Sequence, residues 1–148
     1  MTTETMTEKT VERIAVFDSL LRGELSAVET YRQAYEKFPL PALKELLASH
    51  GDSAVRIRQH IERNGGEGSK SSGPWGAFAK LVEGTAKVLG EAAAFKALKE
   101  GEEHGLKEYE EALPQNSLGS VCRELVTAMI AKQREHITKI DGLLQQAK

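Results

Sequence analysis

Two glutamates, Glu24 and Glu102, stand in stretches that otherwise have the spacing of an apolar helical face. Each glutamate follows a glycine, and a tyrosine, Tyr31 or Tyr109, comes seven residues after it. Seven residues are close to two helical turns, so each glutamate shares a helix face with its tyrosine. A buried carboxylate loses hydration and must be compensated by a cation, a proton or dense hydrogen bonding. The pattern therefore predicts either a metal site or a buried polar network.

Two histidines, His50 and His136, also fall on apolar stripes and are predicted to face inward. Two carboxylates and two imidazoles balance one divalent ion, and Zn²⁺, Fe²⁺ and Mn²⁺ accept these ligand types. A lone inward histidine is more often a hydrogen-bonded core residue. Two histidines level with two glutamates favour a metal site instead. His60, near the end of its helix, and His104, off the stripe, are predicted to be surface residues.

The elements that must position these side chains are helices, because no sustained apolar–polar alternation supports strands. Prolines and the Asn64-Gly65-Gly66 turn punctuate the helices. A short helix with Trp75 and Phe78 on its apolar side should precede the third long one. The four long helices are predicted at 7–37, 41–63, 91–113 and from 117 or 118 to 146, and the short one at 74–89.

A chain of 148 residues fits a single domain, 1–148, with one core. We expect residues 1–6 to be disordered and 64–73, rich in glycine and serine, to be a flexible loop. A net charge of −2 with mixed signs predicts no nucleic-acid binding. No apolar run is long enough for a membrane span, and no signal peptide is recognisable, so a cytoplasmic location is expected. Cys122 is the only cysteine and is predicted to be a structural core residue.

The two halves of the chain repeat each other. Glu24 aligns with Glu102, and Tyr31 with Tyr109, at an offset of 78, whereas the second helices align at an offset of 83. The repeat predicts a duplicated helical hairpin joined by a long crossover.

This arrangement resembles the ferritin-like superfamily of ferritins, bacterioferritins and rubrerythrins. The resemblance implies an all-α, four-helix bundle of two antiparallel hairpins with a long crossover that carries an extra short helix. The Gly-Gly loop, the Gly-Pro-Trp start of the crossover helix and the Gly-Glu-Glu of the third helix are most similar to a bacterial branch of unknown function. Some members of that branch are associated with stress responses. The resemblance also implies self-association, and we expect a homodimer.

The superfamily places two metal ions between four carboxylates and two histidines, and this chain departs from that pattern. Glu24 and Glu102 match the glutamates of the first and third helices. The Glu-x-x-His pair of the second helix is replaced by His50 and Ser53, and that of the fourth by Gln133 and His136. Two of the four carboxylates are missing, so four positive charges would be poorly balanced in the core. We therefore expect one divalent ion (Zn, Fe or Mn) or none. The predicted ligands are Glu24, His50, Glu102, Gln133 and His136, with Tyr31, Tyr109 and Ser53 around them.

The side chains of the two tyrosines should lean toward the glutamate level, because helical side chains point toward the helix N-terminus. By the internal symmetry, Tyr31 is predicted to hydrogen-bond Glu102, and Tyr109 to hydrogen-bond Glu24. The alternative is that both rings only fill core volume.

Two other functions stay open on the sequence. One is a metal-free structural or interaction protein whose glutamates, tyrosines and histidines form a hydrogen-bond network that fixes the helix register. The other is a di-iron-type oxidase or peroxidase, against which the missing carboxylates argue. We expect no catalytic residue and regard an enzyme as the less favoured class.

Overall fold

The computed structural model describes residues 7–72, 89–115 and 118–147. These residues form four helices and, within the described ranges, no strand. No helix among the described residues is both long and apolar enough to cross a membrane. The all-α prediction is confirmed, with boundaries within two residues of those expected. The predicted short helix, apart from residue 89, and residues 1–6 lie outside the described ranges. The helices are α1 (Glu8–Lys37), α2 (Pro41–Arg63), α3 (Glu91–Ala112) and α4 (Gly119–Gln146).

Local sequence signals account for the ends of the first hairpin. The Thr7 hydroxyl caps α1 by accepting a hydrogen bond from the backbone N–H of Thr10 at 3.1 Å. Pro41 occupies the first turn of α2, where its missing N–H costs no helical hydrogen bond. Beyond the end of α2, Gly65 has a φ of 85°, a conformation that favours glycine. The N–H of Gly66 then bonds the carbonyl of Ile61 at 3.0 Å and closes the helix.

Each helix packs on two neighbours. The extensive contacts are within the hairpins, α1 with α2 and α3 with α4, and smaller contacts join α1 to α3 and α2 to α4. The first half of α1 shares a core cluster with the end of α3, and the second half of α1 shares another with the start of α3. Helices α1 and α3 therefore run antiparallel, as do α2 and α4.

The core consists of two apolar clusters, one toward each end of the bundle. Phe17 and Met129 belong to one cluster, and Phe95 and Ile140 to the other. Between them lies a buried layer of polar side chains, which we call the polar layer. It consists of Glu24, His50, Glu102, Gln133 and His136.

The segment 64–72 follows α1 after the end of α2. Arg58 donates hydrogen bonds to the carbonyls of Gly68 and Ser69, at 3.2 and 2.7 Å. Asp18 accepts from the backbone N–H and the hydroxyl of Ser69, at 2.8 and 2.7 Å. Five residues after the end of α2, the chain is thus bonded to both helices of the first hairpin. The flexibility expected for 64–73 stays a prediction, and Gly73 lies outside the described residues.

Candidate metal centre

The five side chains of the polar layer come from all four helices and are at most 4% exposed. Glu24 lies on α1, His50 on α2, Glu102 on α3, and Gln133 and His136 on α4. Each occupies the inner face of its helix because the residues three and four positions away are apolar and pack in the core. The structure therefore brings the five residues predicted as ligands to one level of the bundle.

His50 lies between the two glutamates. Its Nδ1 is 2.6 Å from Glu24 Oε2, and its Nε2 contacts Glu102 Oε1. Both ring nitrogens face carboxylate oxygens, and these can only accept hydrogen bonds when ionised. The ring therefore carries both protons in this arrangement and is an imidazolium between two carboxylates.

The electrostatics of the layer agree with that assignment. Burial by itself would lower the pKa of His50, but the charges of Glu24 and Glu102 and its hydrogen bonds to both raise that pKa to about 10. Burial would likewise raise the pKa of Glu102. The charge of His50, with the hydrogen bonds from His136 and His50, instead lowers the Glu102 pKa to about 2.

The two tyrosines cross between the halves of the bundle. Tyr31 donates to Glu102 Oε1 at 2.9 Å, and Tyr109 donates to Glu24 Oε1 at 2.6 Å. Burial first, and then the charge of the bonded glutamate, raises the pKa of each phenol well above its usual value, so both remain donors. These are the two hydrogen bonds that the internal symmetry predicted.

His136 approaches Glu102 from the other side. Its Nδ1 lies 3.2 Å from Glu102 Oε2 and 3.1 Å from Gln133 Oε1. The Gln133 amide in turn donates to the backbone carbonyl of Glu102 at 3.1 Å. The far nitrogen, Nε2, is 2.7 Å from the hydroxyl of Ser49, a residue the sequence analysis missed. Ser49 carries no sequence signal, because its role depends on how α2 packs against α4.

One group of side chains in the described residues could hold a metal ion, namely His50, Glu102 and His136. One ligand atom from each lies within 4.8 Å of the others. Glu24, predicted as a ligand, lies at the far nitrogen of His50 rather than in this group. Ser53 is buried on α2, one turn after His50, at 1% exposure.

The prediction for His60 is wrong. His60 is 6% exposed, and its Nε2 is 2.6 Å from the sulfur of Cys122. Its ring also packs on Phe17, with 4.8 Å between ring centroids. The signal was present in the sequence, since His60 follows the buried Ile57 by three residues on the same stripe. Cys122 is buried, as expected. His104 is an exposed residue paired with Glu108 at 2.8 Å, also as expected.

One solved structure is similar over nearly the whole chain. It is described as a ferritin-like, diiron-carboxylate protein from Bacillus anthracis str. Ames. The two are 19% identical, with 94% of this chain and 99% of that chain covered and a TM-score of 0.73. This chain has the ferritin-like fold. The predicted resemblance is thereby confirmed for the fold. No family model and no curated protein matches the sequence.

The residues of this ferritin-like bundle do not fit a pair of metal ions. The polar layer holds two carboxylates, Glu24 and Glu102, and the positions matched to the other two carry His50 and Gln133. Two divalent ions would bring four positive charges against two negative ones in a buried layer. A single divalent ion is balanced by the same two carboxylates once His50 is neutral.

Proposed function

We propose that this protein binds one divalent metal ion through His50, Glu102 and His136. The observation that carries the proposal is the convergence of one ligand atom from each, all within 4.8 Å of one another in a buried layer. Two imidazoles and one carboxylate are a common ligand set for Zn²⁺ and Fe²⁺ and also suit Mn²⁺. Three protein ligands leave further coordination positions, and Gln133 Oε1 or water can take one of them.

The outer partners of both histidines support this assignment. Glu24 contacts His50 Nδ1, so it can hold that ring with Nε2 turned toward Glu102. A carboxylate on the far nitrogen of a metal-binding histidine orients the ring and raises its basicity. The Ser49 hydroxyl can donate to His136 Nε2 or accept from it. His136 can therefore change tautomer and free Nδ1 for a metal without losing its partner.

A metal at this position competes with a proton. In the arrangement described, His50 carries a proton on Nε2, and that proton must leave before the nitrogen can coordinate. With His136 neutral and changing only its tautomer, each ion bound releases one proton. Glu24 then serves as the remaining negative charge beside the ion, or as a fourth ligand, as the sequence predicted.

Metal stoichiometry tests the proposal. The protein should be purified without a nickel column, stripped with chelator and titrated with Zn²⁺, Fe²⁺ and Mn²⁺ while bound metal is measured by elemental analysis. One ion per chain is expected for at least one of the three. Glu102→Ala and His136→Ala should abolish that binding. His104→Ala is the matched control, because His104 is an exposed histidine outside the polar layer and should leave the stoichiometry unchanged.

A second candidate is a metal-free bundle in which His50 itself is the compensating cation. The observation that favours it is the placement of the His50 ring between the Glu24 and Glu102 carboxylates. The layer would then fix the helix register and serve structure or interaction rather than metal binding. Failure of all three metals to bind or to change the melting temperature would decide for this network.

Physiological role and assembly are further proposals. A buried mononuclear site in a ferritin-like bundle suits a protein that guards against metal or oxidative stress. We also expect a homodimer, from the resemblance and from the need to bury Trp75 and Phe78, which lie outside the described residues. Analytical ultracentrifugation that finds only monomer at high protein concentration would contradict the dimer.

A further inference from the structure

A cavity of about 320 Å³ lies between α1 and α3, where the two helices make only limited contact. Its floor is the polar layer, because Glu24, Glu102, His50 and both tyrosines of the layer line it. His136 and Ser49 are not among the lining residues and lie behind that floor. The cavity thus reaches the polar layer from the α1–α3 side of the bundle.

The walls of the cavity are apolar. Leu20 and Ala27 of α1 face Leu98 of α3 across it. An engineered apolar cavity of about 150 Å³ is known to hold benzene, so this volume has room for a larger organic molecule. Walls of this kind, with a few polar groups at one end, are the usual form of a small-molecule site.

The charges around the cavity are predominantly negative. Four carboxylates line it, and the basic side chains in the same lining are His50 and His104. Even with both histidines charged, carboxylates outnumber cations by two. A neutral His50 beside a bound divalent ion leaves an excess of negative charge as well. The aromatic faces of Tyr31 and Tyr109 add a second feature that attracts cations. The four carboxylates are those of Glu24, Glu100, Glu102 and Glu108.

We propose that this cavity is a binding site for a small organic cation, a primary ammonium group on a short apolar body. The ammonium group would lie at the floor, among the carboxylates and phenols, where charge-assisted hydrogen bonds are available. The apolar body would lie between Leu20, Ala27 and Leu98. This site goes beyond metal binding and does not depend on it.

Three probes of equal chain length test the charge requirement. Hexylammonium, 1-hexanol and hexanoate are titrated into chelator-treated protein at neutral pH, and binding is followed by NMR chemical shifts. Hexylammonium should bind at least about tenfold more tightly than either of the others, a factor typical of one well-placed charged contact. Equal binding of all three, tighter binding of hexanoate, or no binding of hexylammonium would overturn the proposal.

A pair of glycine substitutions tests the location. A β-carbon on Gly23 would have Glu108 Oε2 as its nearest neighbour at 3.7 Å, so Gly23→Leu fits into the cavity and fills it. Gly142 on α4 has nothing within 4 Å of the same position and lies outside the cavity lining, so Gly142→Leu is the matched control. Leucine favours both helices, and circular dichroism checks that each variant folds.

Hexylammonium affinity should fall at least about tenfold in Gly23→Leu and change less than about twofold in Gly142→Leu. Unchanged affinity in Gly23→Leu would place the ligand elsewhere and overturn the proposal. Binding that is seen only after Trp75→Ala would mean that this chain's own segment 73–88 occupies the cavity, and it would also overturn the proposal. Metal stoichiometry, measured in the same samples, reports separately on the metal site.

Discussion

At the scale of single residues, His50 controls the charge balance of the polar layer and makes stability depend on pH. Its pKa is about 10 in the folded protein against an ordinary 6.5, so the metal-free folded state keeps a proton that the unfolded chain loses. The resulting stability is fully present below 6.5 and is lost as pH rises toward 10. The pKa of Glu102, lowered from 4.5 to about 2, gives the opposite limb, in which stability is lost as pH falls from 4.5 toward 2.

We therefore expect the melting temperature of chelator-treated protein to fall as pH rises from 6.5 to 10. The corresponding loss is on the order of 5 kcal/mol at most, at about 1.4 kcal/mol for each unit of pKa difference. His50→Gln should flatten this alkaline limb, because glutamine does not titrate. His104→Gln is the control and should retain the limb. An identical alkaline slope in His50→Gln and the wild type would contradict the assignment.

The two tyrosines differ in what their loss would leave behind. In Tyr109→Phe, Glu24 keeps its hydrogen bond to His50 but loses the one to Oε1. In Tyr31→Phe, both oxygens of Glu102 keep a histidine partner. We expect Tyr31→Phe to cost about 1 kcal/mol of unfolding free energy and Tyr109→Phe about 2 kcal/mol, since unsatisfied buried acceptors cost more than a lost bond.

Urea denaturation measures both costs. Tyr35→Phe is the matched control, because Tyr35 is only half-buried at the edge of the core and should change stability by less than about 0.5 kcal/mol. A cost for Tyr31→Phe that equals or exceeds the cost for Tyr109→Phe would contradict the partner assignment.

At the scale of helices, the approach of α3 to α4 depends on Gly105. A β-carbon there would lie 2.7 Å from Nε2 of Gln133, the amide that donates to the Glu102 carbonyl. Helix propensity alone favours alanine over glycine by about 1 kcal/mol. We expect Gly105→Ala to destabilise nevertheless, because the displaced amide would lose its hydrogen bond. Gly142→Ala, with open space at the β-carbon, should stabilise by about 0.5 to 1 kcal/mol. Stabilisation in both variants, measured by urea denaturation, would show that Gln133 can move away freely.

The helices themselves were predictable from the sequence. Proline and glycine positions and the three-four apolar spacing located the four long helices within two residues of their observed bounds. The crossed bonds from Tyr31 and Tyr109 followed from the internal symmetry and from the lean of helical side chains.

Relations between helices were harder to predict. The contact of His50 with both glutamates depends on the distance across the bundle, which spacing along one helix does not give. Ser49 carries no periodic signal, and its contact with His136 depends on the packing of α2 against α4. His60 was misplaced because nearness to a helix end was weighed above its position on the stripe. Its partner Cys122 comes from the other hairpin.

At the scale of the whole molecule, a bound ion would couple all four helices. His50, Glu102 and His136 lie on α2, α3 and α4, and Glu24 joins α1 through His50. A ligand bound only by the native state stabilises it by mass action, by about 2.7 kcal/mol at a hundred times its dissociation constant. Zn²⁺ or another bound ion should therefore raise the melting temperature, and chelator should lower it again. In Glu102→Ala the same additions should have no effect, whereas a retained increase would place the ion elsewhere.

The most direct test of the central claim is a crystal structure of Zn²⁺-loaded protein with diffraction data collected at the zinc absorption edge. The account predicts one anomalous peak per chain in the polar layer, about 2.0–2.2 Å from His50 Nε2, His136 Nδ1 and an oxygen of Glu102. Glu24 should remain on His50 Nδ1 or become the fourth ligand. A layer without an anomalous peak, with His50 still bonded to both glutamates, would contradict the claim, as would two zinc ions in the bundle.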